Sequence, residues 1–404
     1  MLTRAPDAHR AGGAMPALAV AAIAFAELLC TSMWFSANGA GSELRVAWGL
    51  SVADIGWLTN AVQMGFIAGT LAISLSGMAD RFAASQIFAF SSLLGALANA
   101  AFALLEPGLV LALALRFIVG LSLAGIYPLG MKLVMSWTRR DTGSTLAWLV
   151  GMLALGTSLP HAIRAWAPGI PWQHAVAVSS GLAVLGGLIV HLIGDGPFIG
   201  FRVAPQPPAR GSVLRAFKIP AFRAAAFGYF GHMWELYAFW TLAPFLLAGA
   251  LQQHDGGSGV SVASFAVIAI GAAGSVAAGY AAKAIGSAQV AAVALGVSGA
   301  CCVLYPLLSD SPTPPRVAVL GVWGVAVIAD SAQFSSLSGK ACPPEWLGSA
   351  LAIQNAIGFA VTLASIALAM AAFPFIGDRV VWALAPGPVL GLLAMRGLLR
   401  RQHD

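Results

Sequence analysis

Charge is what this sequence has least of. Of its 404 residues 9% are Asp, Glu, Lys or Arg and 59% are hydrophobic, with a mean hydropathy of +0.84. A soluble chain of average composition carries roughly 25% charged residues. The shortfall excludes a soluble enzyme, a nucleic-acid binder and a disordered scaffold, and leaves lipid as the solvent for most of the surface. Cysteine is sparse as well. Cys30, Cys301, Cys302 and Cys342 show no CxxC or Cys/His ligand spacing, so they read as reduced core thiols, with neither a disulfide framework nor a metal site. No GxxxxGK[ST] string occurs, which excludes a nucleotide loop within this chain. No cofactor is expected.

What is present is a series of long apolar runs. A membrane-crossing helix needs about 20 such residues. Runs of that kind fall at 16–38, 52–75, 85–105, 108–136, 143–166, 173–193, 221–248, 259–282, 288–308, 316–338, 347–372 and 379–397. The first follows Arg4 and Arg10, yet it is too long for a signal-peptide core and contains Glu27. It reads as a retained first helix.

The net charge of +6 needs no polyanionic partner. Membrane proteins gather Lys and Arg in cytoplasmic loops. With the N-terminus inside, about fifteen basic residues face the cytoplasm, among them Arg81, Arg139, Arg140, Arg202, Arg210, Arg215, Lys218, Arg223, Lys283, Lys340, Arg400 and Arg401. Arg45, Arg164, Arg316 and Arg379 face the other side. This bias puts both termini in the cytoplasm. Trp48, Trp57, Trp166, Trp172 and Trp382 fall near the outer boundary and Trp137 and Trp346 near the inner one, where indoles anchor helices.

The longest polar interruption is 194–219, rich in Pro and Arg. It divides the chain into a cytoplasmic tail (1–15), a six-helix bundle (16–193), a linker (194–219), a second bundle (220–399) and a tail (400–404). Landmarks repeat across the linker. Glu27 and Glu235 are 208 positions apart, Asp80 and Lys283 are 203 apart, and Gly143 and Gly348 are 205 apart. A near-constant offset is the mark of an internal duplication.

At this point the chain resembles the major facilitator superfamily over essentially all its length. The loop SGMADRFAAS matches part of that family's GxxxDRxGRR signature: Asp80 and Arg81 are kept, while Ser76, Ala83, Ala84 and Ser85 depart from it. Arg116 and Gly120 in RFIVGLSLAGIYP fit the family's RxxxG pattern in helix four. The antiporter signature, a GP followed by GG in helix five, is absent from GMLALGTSLPHAI. The resemblance implies an all-α membrane protein of 12 transmembrane helices in two pseudo-symmetric six-helix bundles, with helices one, four, seven and ten lining a central cavity. It implies Asp80 and Arg81 as a conformational-switch loop. YPLGMKLVMSW and LGTSLPH look like the nitrate/cyanate-transporter branch. Nitrate carriers there have arginines within helices two and eight; this chain has Gln63 and none in either span, which points away from nitrate and toward a small organic or pseudohalide anion.

Ionisable groups within the runs are Glu27, Arg116, Lys132, Glu235 and Asp330. Each costs at least about 2.5–3.5 kcal/mol to insert, so such residues face protein or a water-filled cavity. At about 1.5 Å rise per residue, Glu27, Glu235 and Asp330 fall near the midplane, where repeat-built carriers bind solute. Lys132 reads as an interfacial anchor. Arg116 is expected to act as counter-ion to a carboxylate or to a solute anion, or else to fix helix packing as an ion pair. His232 and Glu235 are three apart in GHMWELYAFW, so the imidazole could relay protons to the carboxylate. Trp234 and Tyr237 in that stretch, with Trp34 and Gln63, complete the expected solute and ion site: Glu27, Arg116, Glu235, Asp330, His232, Trp234, Tyr237, Trp34 and Gln63. Interhelical hydrogen bonding is the alternative for each.

The expected function is secondary active transport of a small solute, an organic or small inorganic anion, by alternating access with proton coupling. The expected partners are that solute, protons and the bilayer, with no nucleic acid, and the expected state is a monomer in the bacterial inner membrane. Export of another solute class, or a membrane-embedded enzyme or sensor built on His232 and Glu235, is the competing reading.

Overall fold

The computed structural model describes residues 14–105, 108–138, 142–167, 169–198, 213–253, 257–343 and 347–400. Arg4, Arg10, Arg139, Arg140, Arg202, Arg210, Trp346 and Arg401 lie outside the described residues, as do most of both expected tails and the centre of the expected linker. Among the described residues all regular structure is helical.

The expected first span breaks in two. α1 (Ala14–Thr31) gives way to turns and then α2 (Ser36–Gly39), with α3 (Gly41–Trp48) beyond. Gly49 in the left-handed region (φ 65°) ends α3. α4 (Val52–Ser76) starts on a capping box: Asp54 N–H donates to Ser51 Oγ (3.2 Å) and Ser51 N–H donates to Asp54 Oδ2 (2.8 Å). That reciprocal pair satisfies two orphan donors of the first turn. The short α5 (Met78–Arg81) leads into α6 (Ala84–Leu104). The N-terminus of α6 is capped from far along the chain, where the Asp195 carboxylate accepts from Ala84 N–H (3.0 Å) and Ser85 N–H (2.8 Å). Residues 194–198, at the start of the expected linker, are therefore docked against the first bundle.

The expected fourth span is also interrupted, as α7 (Gly108–Leu123) and α8 (Tyr127–Trp137). Pro128 lacks an N–H to continue the ladder, and α8 restarts with it in its first turn. α9 (Thr142–Trp166) and α10 (Trp172–Ile193) follow. In the second half come α11 (Pro220–Ala250), α12 (Ser258–Ile285), α13 (Ser287–Leu307), α14 (Thr313–Ala329), α15 (Ser331–Ala341), α16 (Leu347–Ile376) and α17 (Pro386–Arg400). The expected tenth span is thus divided at Asp330, and a 3-10 segment, Gly377–Leu384, joins α16 to α17. Continuous helices were expected for the first, fourth and tenth spans. A hydropathy run registers solvent preference and is blind to a backbone break that protein groups satisfy.

Nine stretches of the described residues are long and apolar enough to cross a membrane. Their outward faces carry exposed apolar side chains, including Phe90, Leu97, Leu192, Val293 and Leu390. α4 packs on α7, α10 on α6, α12 on α14, and α11 on α17. Between the two halves α9 packs along α12 and α16 along α4. Ser275 Oγ donates to the Ala147 carbonyl (2.9 Å), and Asn60 Nδ2 donates to the Leu363 carbonyl (3.1 Å).

One contact recurs in both halves. Gly65 and Gly120 bring the backbones of α4 and α7 together, where a Cβ would run into the carbonyls of Phe117 and Val62. Gly274 and Gly324 do the same for α12 and α14 against the carbonyls of Val325 and Val267. Small residues permit such close crossings in a bilayer, where no hydrophobic force drives helices together. Gly120→Ala and Gly324→Ala are each expected to lower the melting temperature of the detergent-purified protein, at an overpacking cost of about 1–3 kcal/mol. Gly181→Ala, where a Cβ would meet nothing within 4 Å, should leave melting unchanged.

Candidate functional site

A small cavity of about 40 Å³ lies between the halves. α8 contributes Tyr127 and Met131, and α9 contributes Val150 and Leu153. From the second half come Tyr229, His232, Met233, Leu236 and Tyr237 of α11, Ile328 of α14, Ser331 and Ser335 of α15, and Asn355 and Phe359 of α16. The lining falls in the N-terminal halves of α9 and α16 and in the first half and middle of α11.

Beyond Tyr237 the space is filled by rings from four segments. Trp34, in the turn after α1, stacks on Tyr237 (centroids 5.5 Å) and Phe359 (5.9 Å), and lies 5.1 Å from Phe66 of α4. Phe66 and Phe359 approach to 4.3 Å, and Phe35 meets Trp240 edge-on at 5.9 Å. Trp34 Nε1 donates to Gln63 Oε1 (3.3 Å), and both side chains are fully buried. Trp34, Gln63 and Tyr237 are therefore brought together, as a seal at one end of the cavity, with Tyr237 on its wall.

His232 stands in the cavity wall with both ring nitrogens engaged. Nδ1 lies 2.8 Å from Asp330 Oδ1, and Nε2 is 2.7 Å from Ser331 Oγ. The break between α14 and α15 delivers Asp330 and Ser331 to the same imidazole. With Asp330 ionised, Nδ1 carries the hydrogen and Nε2 accepts from the Ser331 hydroxyl. Tyr229 and Phe334 flank the ring, with centroids at 6.1 and 5.9 Å.

The expected relay from His232 to Glu235 is not formed. Glu235 turns toward α13 and α14, where it accepts from Ser298 Oγ (2.9 Å), Cys302 Sγ (3.2 Å) and Trp323 Nε1 (2.5 Å). Residues three apart share a helix side only broadly, and here two different neighbouring helices divide them. Trp234 also points away from the cavity, donating to the Ala383 carbonyl (2.9 Å) and packing against Gly387 of α17.

Arg116 is fully buried and is no counter-ion to Glu27, Glu235 or Asp330. Its guanidinium donates to Ser36 Oγ (3.0 Å), Asn99 Oδ1 (2.8 Å) and the carbonyls of Met33 (3.0 Å) and Trp34 (2.6 Å). The interruption after α1 frees carbonyls that an unbroken helix would use, and the planar fork of Arg116 takes them. Glu27 is fully buried against Gly130 of α8 and Phe88 of α6, and among the described residues no donor reaches either carboxylate oxygen. Arg81 is exposed in α5, and the Asp80 side chain lies outside the described residues.

Sequence reasoning missed Tyr127, Tyr229 and Phe359 as lining residues. A usable signal was the scarcity of tyrosine: the chain has five, and three line this cavity. Among the described residues no group of three His, Cys, Asp or Glu side chains is placed to hold a metal ion.

A helical membrane protein with a buried, two-sided cavity between its halves has the architecture of a solute carrier. The chain belongs to the Major Facilitator Superfamily, whose family model matches residues 23–367; the family is one of transporters, not enzymes. It is similar to the niacin transporter NiaP of Acinetobacter baylyi, with 37% identity over 125 residues. That match spans 28% of this chain and 28% of that relative. A crystal structure of a bacterial homologue of the human lysosomal transporter Spinster, inward-facing and unoccupied, shares the fold with a TM-score of 0.68 at 13% identity. It covers 96% of this chain and 98% of the other.

Arg116→Ala is expected to destabilise the protein by about 3 kcal/mol or more, since buried acceptors left without donors cost roughly 1–3 kcal/mol each. Arg116→Lys should fall between, because an ammonium cannot span the same four acceptors. Melting in detergent reads the difference. If Arg116 served only to bind solute, melting would not change.

Proposed function

We propose that this chain is a secondary active transporter that carries a small organic anion, together with protons, through the cavity between α8, α9, α11, α15 and α16. The observation that carries the reading is the placement of His232 in the wall of that cavity, paired with Asp330. It is a titratable pair within reach of a bound solute.

The nine apolar stretches, with α1 and α11 added and Ala350–Arg400 divided at its 3-10 segment, make twelve spans. An even number, with basic residues concentrated on the side of both termini, supports a cytoplasmic location for each end. Two six-helix units then rock about the cavity, which opens alternately to either side. The ring cluster of Trp34, Phe66, Tyr237 and Phe359 closes the outer side here, and the cavity faces the cytoplasm. The working unit is a monomer in the bacterial inner membrane. The partial likeness to a niacin transporter supports a flat organic acid as solute, since niacin is a pyridine carboxylic acid.

This reading assigns the coupling proton to the His232–Asp330 pair rather than to Glu27 or Glu235, because neither glutamate lines the cavity. After a thermal-shift screen has identified a solute, proteoliposomes with an imposed pH gradient test the assignment. His232→Gln and Asp330→Asn should reduce gradient-driven accumulation by about tenfold or more, within the coupling range for linked sites, while solute counterflow persists. Glu27→Gln and Glu235→Gln should keep coupling. Lost coupling in either glutamine variant, with full coupling in His232→Gln, would overturn it.

A further inference from the structure

We infer that the cavity binds a planar monoanion through phenolic hydroxyls, without a fixed cation, and that each anion is carried with one proton taken up by His232. This rests on the transport reading above and specifies the ligand's charge and the stoichiometry.

Tyr127, Tyr229 and Tyr237 line the cavity from both halves of the protein. Tyr229 and Tyr237 are 7% and 3% exposed, and none of the three hydroxyls is hydrogen-bonded to a described residue. A phenol donates one hydrogen, and bonds from neutral donors to an ionised acceptor are stronger than those between neutral groups. Three donors of this kind in the lining of one cavity suit a carboxylate. Stacked rings at the closed end and the side chains of Met131 and Met233 offer flat apolar walls.

No lysine or arginine is among the lining residues. Arg116 is consumed by the break after α1. The charge that answers an anion must therefore be made on binding. Both residues are buried, but His232 is among the lining side chains, whereas Asp330 is not and meets the imidazole at Nδ1. A cationic solute would require the reverse order, with the carboxylate in front. The groups that meet His232 are Asp330 and Ser331 from the α14–α15 junction, Phe334 from α15 and Tyr229 from α11. Tyr127 of α8 and Asn355 of α16 share its cavity, while α9 offers Val150 and Leu153. Glu235 faces away, toward α13 and α14.

Empty, the pair is a neutral imidazole and an ionised Asp330, with net charge −1. Loading adds the anion and one proton from the open side; the proton goes to Nε2, giving an imidazolium held by Asp330 at Nδ1. The loaded site again sums to −1, so the transported cargo is neutral. Release on the other side returns both. Empty and loaded carriers cross with equal charge, and the membrane potential neither drives nor opposes net uptake.

The full-length protein in detergent can be titrated calorimetrically with benzoate, benzamide and benzylammonium in two buffers of different ionisation enthalpy. The expected result is benzoate binding at least tenfold tighter than either analogue, with one proton absorbed per benzoate. Tyr127→Phe, Tyr229→Phe and Tyr237→Phe should each weaken benzoate binding about tenfold, the loss expected for a hydrogen bond to a charged group, without lowering the melting temperature of the ligand-free protein. His232→Gln should abolish the proton uptake. Tighter binding of benzylammonium, no detectable benzoate binding, benzoate binding without proton uptake, or three unaffected tyrosine variants would each overturn the inference. In proteoliposomes, benzoate uptake driven by a pH gradient and indifferent to a potassium–valinomycin potential supports it. Potential-dependent benzoate uptake would sink the stoichiometry and leave the transport reading intact; failure of every screened solute to move would sink the transport reading itself.

Discussion

The grip of Arg116 on the interrupted first span is the interaction from which the arrangement of the site follows. Breaking a helix in a lipid-facing protein exposes carbonyls that no water can satisfy, and such groups cost several kcal/mol unless protein supplies donors. Arg116 supplies them from α7, with Ser36 and Asn99 completing its shell. Because the break is held there, Trp34 and Phe35 leave the helical path and meet α11, α4 and α16. The seal at one end of the cavity is thus a consequence of how a buried guanidinium is satisfied.

The remaining buried charges divide according to what neighbours they find. Glu235 is held by three neutral donors from α13 and α14. Glu27 sits against a glycine and a ring with no described donor at its oxygens. Asp330 meets an imidazole that is itself on the cavity wall. Of these three acids, Asp330 is the one paired with a cavity-lining side chain. On the proposed reading, that difference in access, rather than depth in the bilayer, separates the coupling group from the acids that fix packing.

The duplicated character of the chain is written most plainly in backbone contacts. Gly65 and Gly120 in one half, and Gly274 and Gly324 in the other, bring equivalent helix pairs to the same close approach. These positions keep the spacing that Glu27 with Glu235 and Gly143 with Gly348 display in the sequence. What does not repeat is the use made of the halves. α11 gives the cavity Tyr229, His232 and Tyr237, whereas the corresponding α1 contributes a broken end stabilised by Arg116. Symmetric packing is compatible with an asymmetric site because the former depends on backbone clearance and the latter on individual side chains.

Composition alone decided that this is a membrane protein, since so little charge cannot clothe a surface in water. The apolar runs located the helices, and family motifs around Asp80, Arg81, Arg116 and Gly120 pointed to the superfamily that residues 23–367 match. His232, Tyr237 and Asp330 were also legible as interesting, because polar groups in apolar runs are rare. Their pairing was not. Which carboxylate meets the imidazole depends on the break between α14 and α15, and Arg116's partners depend on the break after α1. Both interruptions lie inside stretches that read as single spans, where one-dimensional patterning does not say how a break will be satisfied. Only the assembled helices, by offering donors to one open backbone segment and a cavity to one face of α11, determined which polar groups lock the structure and which face the cavity.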